Sequence, residues 1–346
     1  MELLEKLTQT PGVAGREERI RKVVKEEMES LCDEVRSDPL GNLIGLKKGS
    51  GEGKIMVAGH MDEIGFLVKH IDDKGFIRLQ PVGGFDPRTL MGQRVVVHGK
   101  EDYTGNLAPS TKPIHILTEE EKKKQLQIKD FFVDIGLPAE KVKENVEIGD
   151  PVSLRQEFVR VGDNYSSKAM DDRAGVLVML EAAKKLGTHQ ADIYLVATAQ
   201  EEVGLRGAVA SAFGITPDLG IALDVTLAAD FPGGEEAEYV TKLGEGVAIK
   251  IMDSASISDH TLVKQLKEIA REKEIPHQME ILPRGGTDAG GIQLTKAGIP
   301  VATLSVPCRY VHTVNEMVNH KDLEAAINLL AAYLGKANPA ALKPAD

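Results

Sequence analysis

Acids and histidines stand at the ends of apolar runs at four places in the chain. These are His60 after KIMVAG, Glu201-Glu202 after DIYLVATAQ, Asp224 after LGIAL, and His312 after VATLSVPCRYV. A further acidic pair, Asp171-Asp172, opens an apolar, helix-like segment. Imidazole nitrogen and carboxylate oxygen are donors that zinc or cobalt accepts. Two such ions about 3.5–4 Å apart can share one bridging carboxylate and one water. That arrangement needs a bridging acid, one His and one acid for each ion, and a further carboxylate as base. His60, Asp171, Glu202, Asp224 and His312, with Glu201 left over as the base, fill this inventory. Within each adjacent acidic pair, the residues alone do not say which member plays which part.

Each residue also has a plainer reading. A single His after a strand is commonly hydrogen-bonded structure, and Asp224 could end in a turn. Asp171-Asp172 could cap a helix, where an acid satisfies free N–H groups and the helix dipole. Glu201-Glu202 is harder to explain so, because adjacent carboxylates after an apolar run repel without a cation. Asp62 follows His60 by two residues, and in an extended segment such residues face the same way. Its carboxylate could therefore orient the imidazole, or be an exposed loop acid. Other chemistries lack their motifs: HExxH, GxSxG and GxxxxGK[ST] are all absent. RGGTDAGG (284–291) reads as a close-approach loop near the site, outside the strand–loop–helix setting of a phosphate loop. His98 and His115 read as structural.

The elements that must carry these residues form an α/β pattern. Helices are expected over about 2–8 and 16–31, then two short strands in DEVRSDPLGNLIGLKKG and a buried strand in KIMVAGH. From Asn164 onward helix and strand alternate. The helix DDRAGVLVMLEAAKKLG is followed by strand IYLVATA, helix GLRGAVASAFG and strand LGIALDV. Helix SDHTLVKQLKEIAREKE, capped by Asp259 or Ser258, precedes strand VATLSV and helix KDLEAAINLLAAYLG. Between them, 69–161 has short β-like runs (GFIRLQPVGG, QRVVVHGK, DPVSLR) and one helical patch near TEEEKKKQLQI. There the charge run Glu119–Lys124 is a solvated helix face. The expected architecture is α/β, a central mixed sheet flanked by helices over 1–68 and 162–346. A small β-rich domain is inserted at 69–161, and the tail ANPAALKPAD is disordered. In such a sheet, ligands bind outside the carboxyl ends of the strands.

The 346 residues leave room for this insertion, and 42% hydrophobic with 27% charged residues is ordinary globular composition. A net charge of −11 argues against nucleic acid or an anionic membrane as partner. Cys32 and Cys308 are far apart and in no CxxC pairing, which fits a reducing, cytoplasmic setting. The start MELLEKLTQTPG is acidic and amphipathic, unlike a secretory signal. No apolar run approaches the ~20 residues of a membrane span.

Six blocks of the chain, GHMDEIGF (59–66), AMDDRAG (169–175), QEEVGLRGA (200–208), ALDVT (222–226), GGTDA (285–289) and RYVHT (309–313), resemble the TET-type aminopeptidases. This is metallopeptidase family forty-two, which includes glutamyl, leucyl and deblocking aminopeptidases. The likeness runs from about residue 5 to 335 and implies an aminopeptidase acting on peptides with two divalent ions, zinc or cobalt. It implies that Asp171 bridges the ions, with His60 and Asp224 completing one subsite and Glu202 and His312 the other. Glu201 would be the general base on the bridging water, and Asp62 would orient His60. The family further implies a dimerisation role for the inserted domain and a tetrahedral homo-dodecamer built from dimers. YTGNLAPSTKPIH (103–115) departs from the family pattern as a longer, more polar loop.

Other functions on the same residues are a deacylase, a carboxypeptidase or a glycosidase, since some similar family members carry an endoglucanase label. A non-catalytic assembly protein would have no use for Glu201 beside a ligand. The preferred N-terminal residue depends on a pocket drawn from 231–257 and 283–291, where Arg284 and Arg309 are candidate contacts for an acidic side chain.

Overall fold

The run KIMVAGH forms the strand Lys54–His60, buried at every residue but the first, in a computed structural model that describes residues 1–233 and 238–339. Asp192–Thr198 and Leu219–Leu227 lie parallel on its two sides, and Val301–Arg309 runs parallel beyond the latter. A strand covered on both faces reads as a continuous apolar run, as these four do. They are the centre of an 11-stranded mixed sheet. Antiparallel strands Leu43–Lys47 and Glu34–Ser37 extend one side, and Glu316–Asn319, Asn164–Ser167 and Val159–Val161 the other. Val247–Met252 adds to Val301–Arg309 and carries His277–Ile281.

Alternate side chains of the His60 strand enter different cores. Ile55 and Val57 pack under the helix Met170–Lys185, against which His320–Lys336 lies, while Met56 and Ala58 face Arg206–Ile215 and Asp288–Gln293. The helix Glu18–Glu29 buries Ile20, Val24 and Met28, one per turn. Asp259 caps His260–Glu272 by accepting the N–H groups of Thr261 and Leu262. No helix of the described residues is long and apolar enough to cross a membrane.

The inserted region is a closed barrel of antiparallel strands, in the order Gly65–Ile71, Ile77–Val82, Phe131–Asp134, Asp102–Pro109, Arg94–His98 and Pro151–Arg155. Phe66, Val95, Leu107, Phe131 and Val152 fill its interior. Arg19 reaches from the α/β part to form paired bonds with Asp102 at 2.6 and 2.8 Å, and His98 Nδ1 lies 2.7 Å from the same carboxylate.

Several expectations need correction. Barrel strands span Gly65–Arg155, so 65–68 belong to the barrel and Val159–Val161 to the large sheet; the apolar FLV simply continues the texture of the site segment before it. A second helix, Ala139–Asn145, lies in the insert; it buries only Val142 and leaves no apolar period to read. The polar segment 103–115 is largely the strand Asp102–Pro109, with only Gly105 and Leu107 of its residues buried. A β-carbon at Gly105 would run into Val133, which hides the strand's alternation. RGGTDAGG does follow a strand, His277–Ile281, and its last four residues open the short helix Asp288–Gln293. Asp224 sits within its strand, which runs on to Leu227. Residues 340–346 of the tail lie outside the described residues.

Gly175 packs its backbone on the Asp172 carboxylate, donating its N–H at 2.9 Å, and a β-carbon there would strike that carboxylate. Alanine in a helix ordinarily stabilises by about 0.5–1 kcal/mol over glycine. Gly175→Ala should reverse that sign and destabilise by about 1–3 kcal/mol through overpacking. Denaturant unfolding of the two proteins checks it, and a gain in stability would refute the packing account.

Candidate metal centre

The four central strands are parallel neighbours, so their carboxyl ends open on one side of the sheet. His60 ends its strand, paired with Thr198, and Glu201-Glu202 follow Thr198 by three and four residues. Asp224 lies opposite Ser305 on the next strand pair. His312 comes from the loop after Val301–Arg309, with its backbone in the left-handed region at φ 61°. Asp171 comes from the start of Met170–Lys185, where Asp171 and Asp172 are not yet helical and their shared peptide is cis.

Asp171 stands between the two imidazoles. Its Oδ1 is 2.9 Å from His60 Nε2 and its Oδ2 is 3.4 Å from His312 Nε2. His312 Nε2 is also 3.4 Å from Glu202 Oε2, and Glu201 Oε2 is 4.0 Å from His60 Nε2. Donor atoms of His60, Asp171 and Glu202 lie within 4.8 Å of one another, as do those of His60, Asp172 and Asp224. The two overlapping groups share His60. Asp172 takes the capping role weighed for the acidic pair, its Oδ1 accepting the N–H of Gly175, and its Oδ2 accepts the N–H of His60 at 3.2 Å.

Asp62 is fully buried, and its carboxylate accepts the N–H groups of Glu201 and Glu202 at 3.0 and 3.1 Å. His60 Nδ1 is nearer the Asp62 carbonyl oxygen, at 3.2 Å, than its carboxylate, at 3.7 Å. Glu316 does the same service on the other side, accepting the N–H groups of Asp171 at 3.1 Å and His312 at 2.7 Å.

Burial raises the carboxyls first and mutual repulsion raises them further. Glu201, Asp172 and Asp224 are pushed well above the carboxylate range, with Asp224 acting on the first two and Asp171 on the third. Burial brings Asp288 up to about 6, and burial with the Asp171 charge brings Glu316 up to about 8. Burial opposes a charged imidazole, yet Asp171 and Glu202 overcome it and push His312 up to about 12. Asp171 moves the other way, held below the usual range against its burial by bonds to His312 and His60. Glu202 Oε1 is buried with no hydrogen-bond partner among the described residues. Oxygen and nitrogen donors converging with a spare carboxylate lone pair fit a divalent cation.

A cavity of about 570 Å³ opens on this cluster, bounded by Lys250, Leu282, Arg284, Thr287 and Val311. Arg284 lines it. Arg309 does not: it is engaged by Asp230 through two bonds of 2.7 Å. Lys250 is buried, 3.1 Å from Glu280 and 3.5 Å from Asp253. His98 bonds Asp102 and Ser153, in the barrel, while His115 sits exposed in a short turn.

Sequence reading passed over Glu316, Lys250, Glu280 and Asp288. A signal existed for Lys250, a charge inside the apolar run VAIKIM, and for Glu280 in HQMEI. Asp288 stands inside the glycine-rich stretch RGGTDAGG, which masks it. Glu316 follows His312 by four residues in a segment without periodicity.

The profile of the M42 glutamyl aminopeptidases matches residues 41–329. A putative aminopeptidase of Acetivibrio thermocellus is 43% identical over 95% of this chain and 96% of its own. Among solved structures, aminopeptidase APDkam598 of the archaeon Desulfurococcus kamchatkensis superposes with a TM-score of 0.94 at 41% identity, covering 99% of this chain and 97% of its own. The Pyrococcus horikoshii TET1 peptidase, described as able to assemble into a tetrahedron or a large octahedral shell, has a TM-score of 0.87 at 33% identity, covering 97% and 99%. By profile, sequence and fold alike, the chain belongs to the M42 glutamyl aminopeptidase family and is a peptide-bond hydrolase.

Proposed function

We propose that the protein releases N-terminal residues from peptides at a centre for two divalent ions, zinc or cobalt, with Glu201 as general base. The observation that carries this is the Asp171 carboxylate set between His60 and His312, with Glu202, Asp224 and Glu201 crowded around it. Asp171 would bridge the ions, His60 and Asp224 would hold one, and Glu202 and His312 the other. When bound, such ions supply Lewis acidity that polarises a carbonyl and makes water more acidic. Glu201 takes a proton from the attacking water and delivers it to the leaving amine. Burial and its acidic neighbours raise Glu201 in the ion-free protein; bound cations would offset that repulsion and leave it a carboxylate able to accept the proton. Asp62 fixes the main chain at Glu201 and Glu202 through its carboxylate, and its carbonyl oxygen, 3.2 Å from Nδ1, orients the His60 ring.

The same reading gives the barrel a role in dimerisation and the chain a homo-dodecameric, tetrahedral assembly, supported by the behaviour described for the TET1 peptidase. Two free cysteines fit a cytoplasmic setting.

Glu201→Gln should keep its ion content and thermal midpoint while kcat on an aminoacyl-anilide falls by about 10²–10⁴-fold. Turnover at the wild-type rate would remove Glu201 from the role. Chelation should abolish peptidase activity, whereas hydrolysis of β-glucan that survives chelator would favour a carboxylate glycosidase instead.

The raised carboxyls also predict a pH dependence. A group whose folded pKa exceeds its unfolded value stabilises fully below the unfolded value, and that contribution disappears as pH rises through the folded one. For Asp288 the window runs from 3.8 to about 6. The chelated protein should lose thermal midpoint across that window, and saturating zinc should flatten the slope and raise the midpoint. Equal slopes with and without zinc would contradict the account.

A further inference from the structure

Glu316 touches neither the cavity nor any donor atom of the centre, yet both its oxygens are committed to the backbone of the centre. It is 2% exposed, in the strand Glu316–Asn319. Oε2 accepts the N–H of Asp171 at 3.1 Å and Oε1 that of His312 at 2.7 Å. These two residues lie far apart in sequence and come from different elements, a helix start and a loop. Their side chains must nonetheless meet at 3.4 Å.

The His312 side needs such a hold. Its side chain is 36% exposed, so packing fixes the ring only in part. Among the described residues, the ring's polar neighbours are the Asp171 and Glu202 carboxylates themselves. Its aim therefore depends on the main chain, and that main chain is strained. Tyr310 and His312 both occupy the left-handed region, at φ 62° and 61°. Such non-glycine residues cost about 1–3 kcal/mol each and persist only where the surroundings hold them.

We propose that Glu316 is a positioning residue: one carboxylate that spans the backbone of Asp171 and His312 and thereby sets the subsite formed by Asp171, Glu202 and His312. This rests on the reading of the centre as a site for two divalent ions. The other subsite, through His60, Asp171 and Asp224, depends on Glu316 only at Asp171. Loss of the carboxylate therefore weakens the two ions unequally. Glutamine has nearly the same shape but one acceptor oxygen, and its NH₂ group would face an N–H donor. Aspartate keeps both acceptors on a shorter stem.

The test is a cobalt titration of the chelated full-length protein, followed by calorimetry and by visible absorption. Wild type should take up two ions. Glu316→Gln should bind the first with near wild-type affinity and the second about 10–100-fold more weakly, the usual cost of losing an outer partner of a ligand. The cobalt spectrum of the second equivalent should change. Glu316→Asp should recover part of both, and it remains informative if the Gln variant does not fold. In a double-mutant cycle with His312→Ala, the two losses in ion affinity should be less than additive, because both act on one subsite. Unchanged affinity and spectrum for both equivalents in Glu316→Gln, or additive losses in the cycle, would overturn the positioning role and leave the two-ion reading intact. A wild-type protein that takes up fewer than two ions would overturn the two-ion reading, and this proposal with it.

Discussion

Like charges crowded out of water are the condition to which the rest of this molecule answers. Two unit charges 4 Å apart near a protein surface interact by about 4 kcal/mol. Here Asp171, Asp172, Glu201, Glu202, Asp224 and Asp288 share one end of the sheet, each buried or nearly so. Without cations the cluster holds protons instead, as the raised carboxyls show. Folding such a chain requires that something other than attraction among these side chains bring them together. The apolar strands do that, since burial of Ile55, Val57, Leu223 and Leu304 fixes where the strand ends fall.

Main-chain N–H groups complete the arrangement. Asp62 collects those of Glu201 and Glu202, and Glu316 collects those of Asp171 and His312. Each clamp is itself an acid, and each is held by two main-chain donors. Further out, Glu63 binds Lys168 at 2.6 Å and the N–H of Gly12, while Arg173 bonds the carbonyls of Leu7 and Thr10. The amino-terminal helix is thereby fastened to the segment that presents Asp171.

Much of this was legible in the sequence because burial leaves a written trace. Continuous apolar runs marked the four central strands, and polar residues at their ends marked the centre. What escaped were features whose cause is tertiary. Strand Asp102–Pro109 reads as polar because one of its two buried positions is a glycine pressed against Val133. Ala139–Asn145 has a single buried side chain. Glu316 owes its place to two N–H groups distant in sequence, which no local pattern announces. Asp62 illustrates the converse: its spacing from His60 was readable, but its bonds to Glu201 and Glu202 depend on how two strands register.

The closed barrel leaves the chain immediately after the His60–Glu63 segment and returns just before the strand pair Val159–Val161 and Asn164–Ser167 that leads to Asp171. Closure means that every strand has two hydrogen-bonded neighbours, which leaves little free edge for another chain to extend. Docking on the barrel rests chiefly on side chains. Contacts on that surface can therefore be rewritten residue by residue, with no ladder to re-register and no shift passed back to the strand ends. The outer face of the barrel becomes a separately adjustable surface, free to drift while the strand ends at its root stay put.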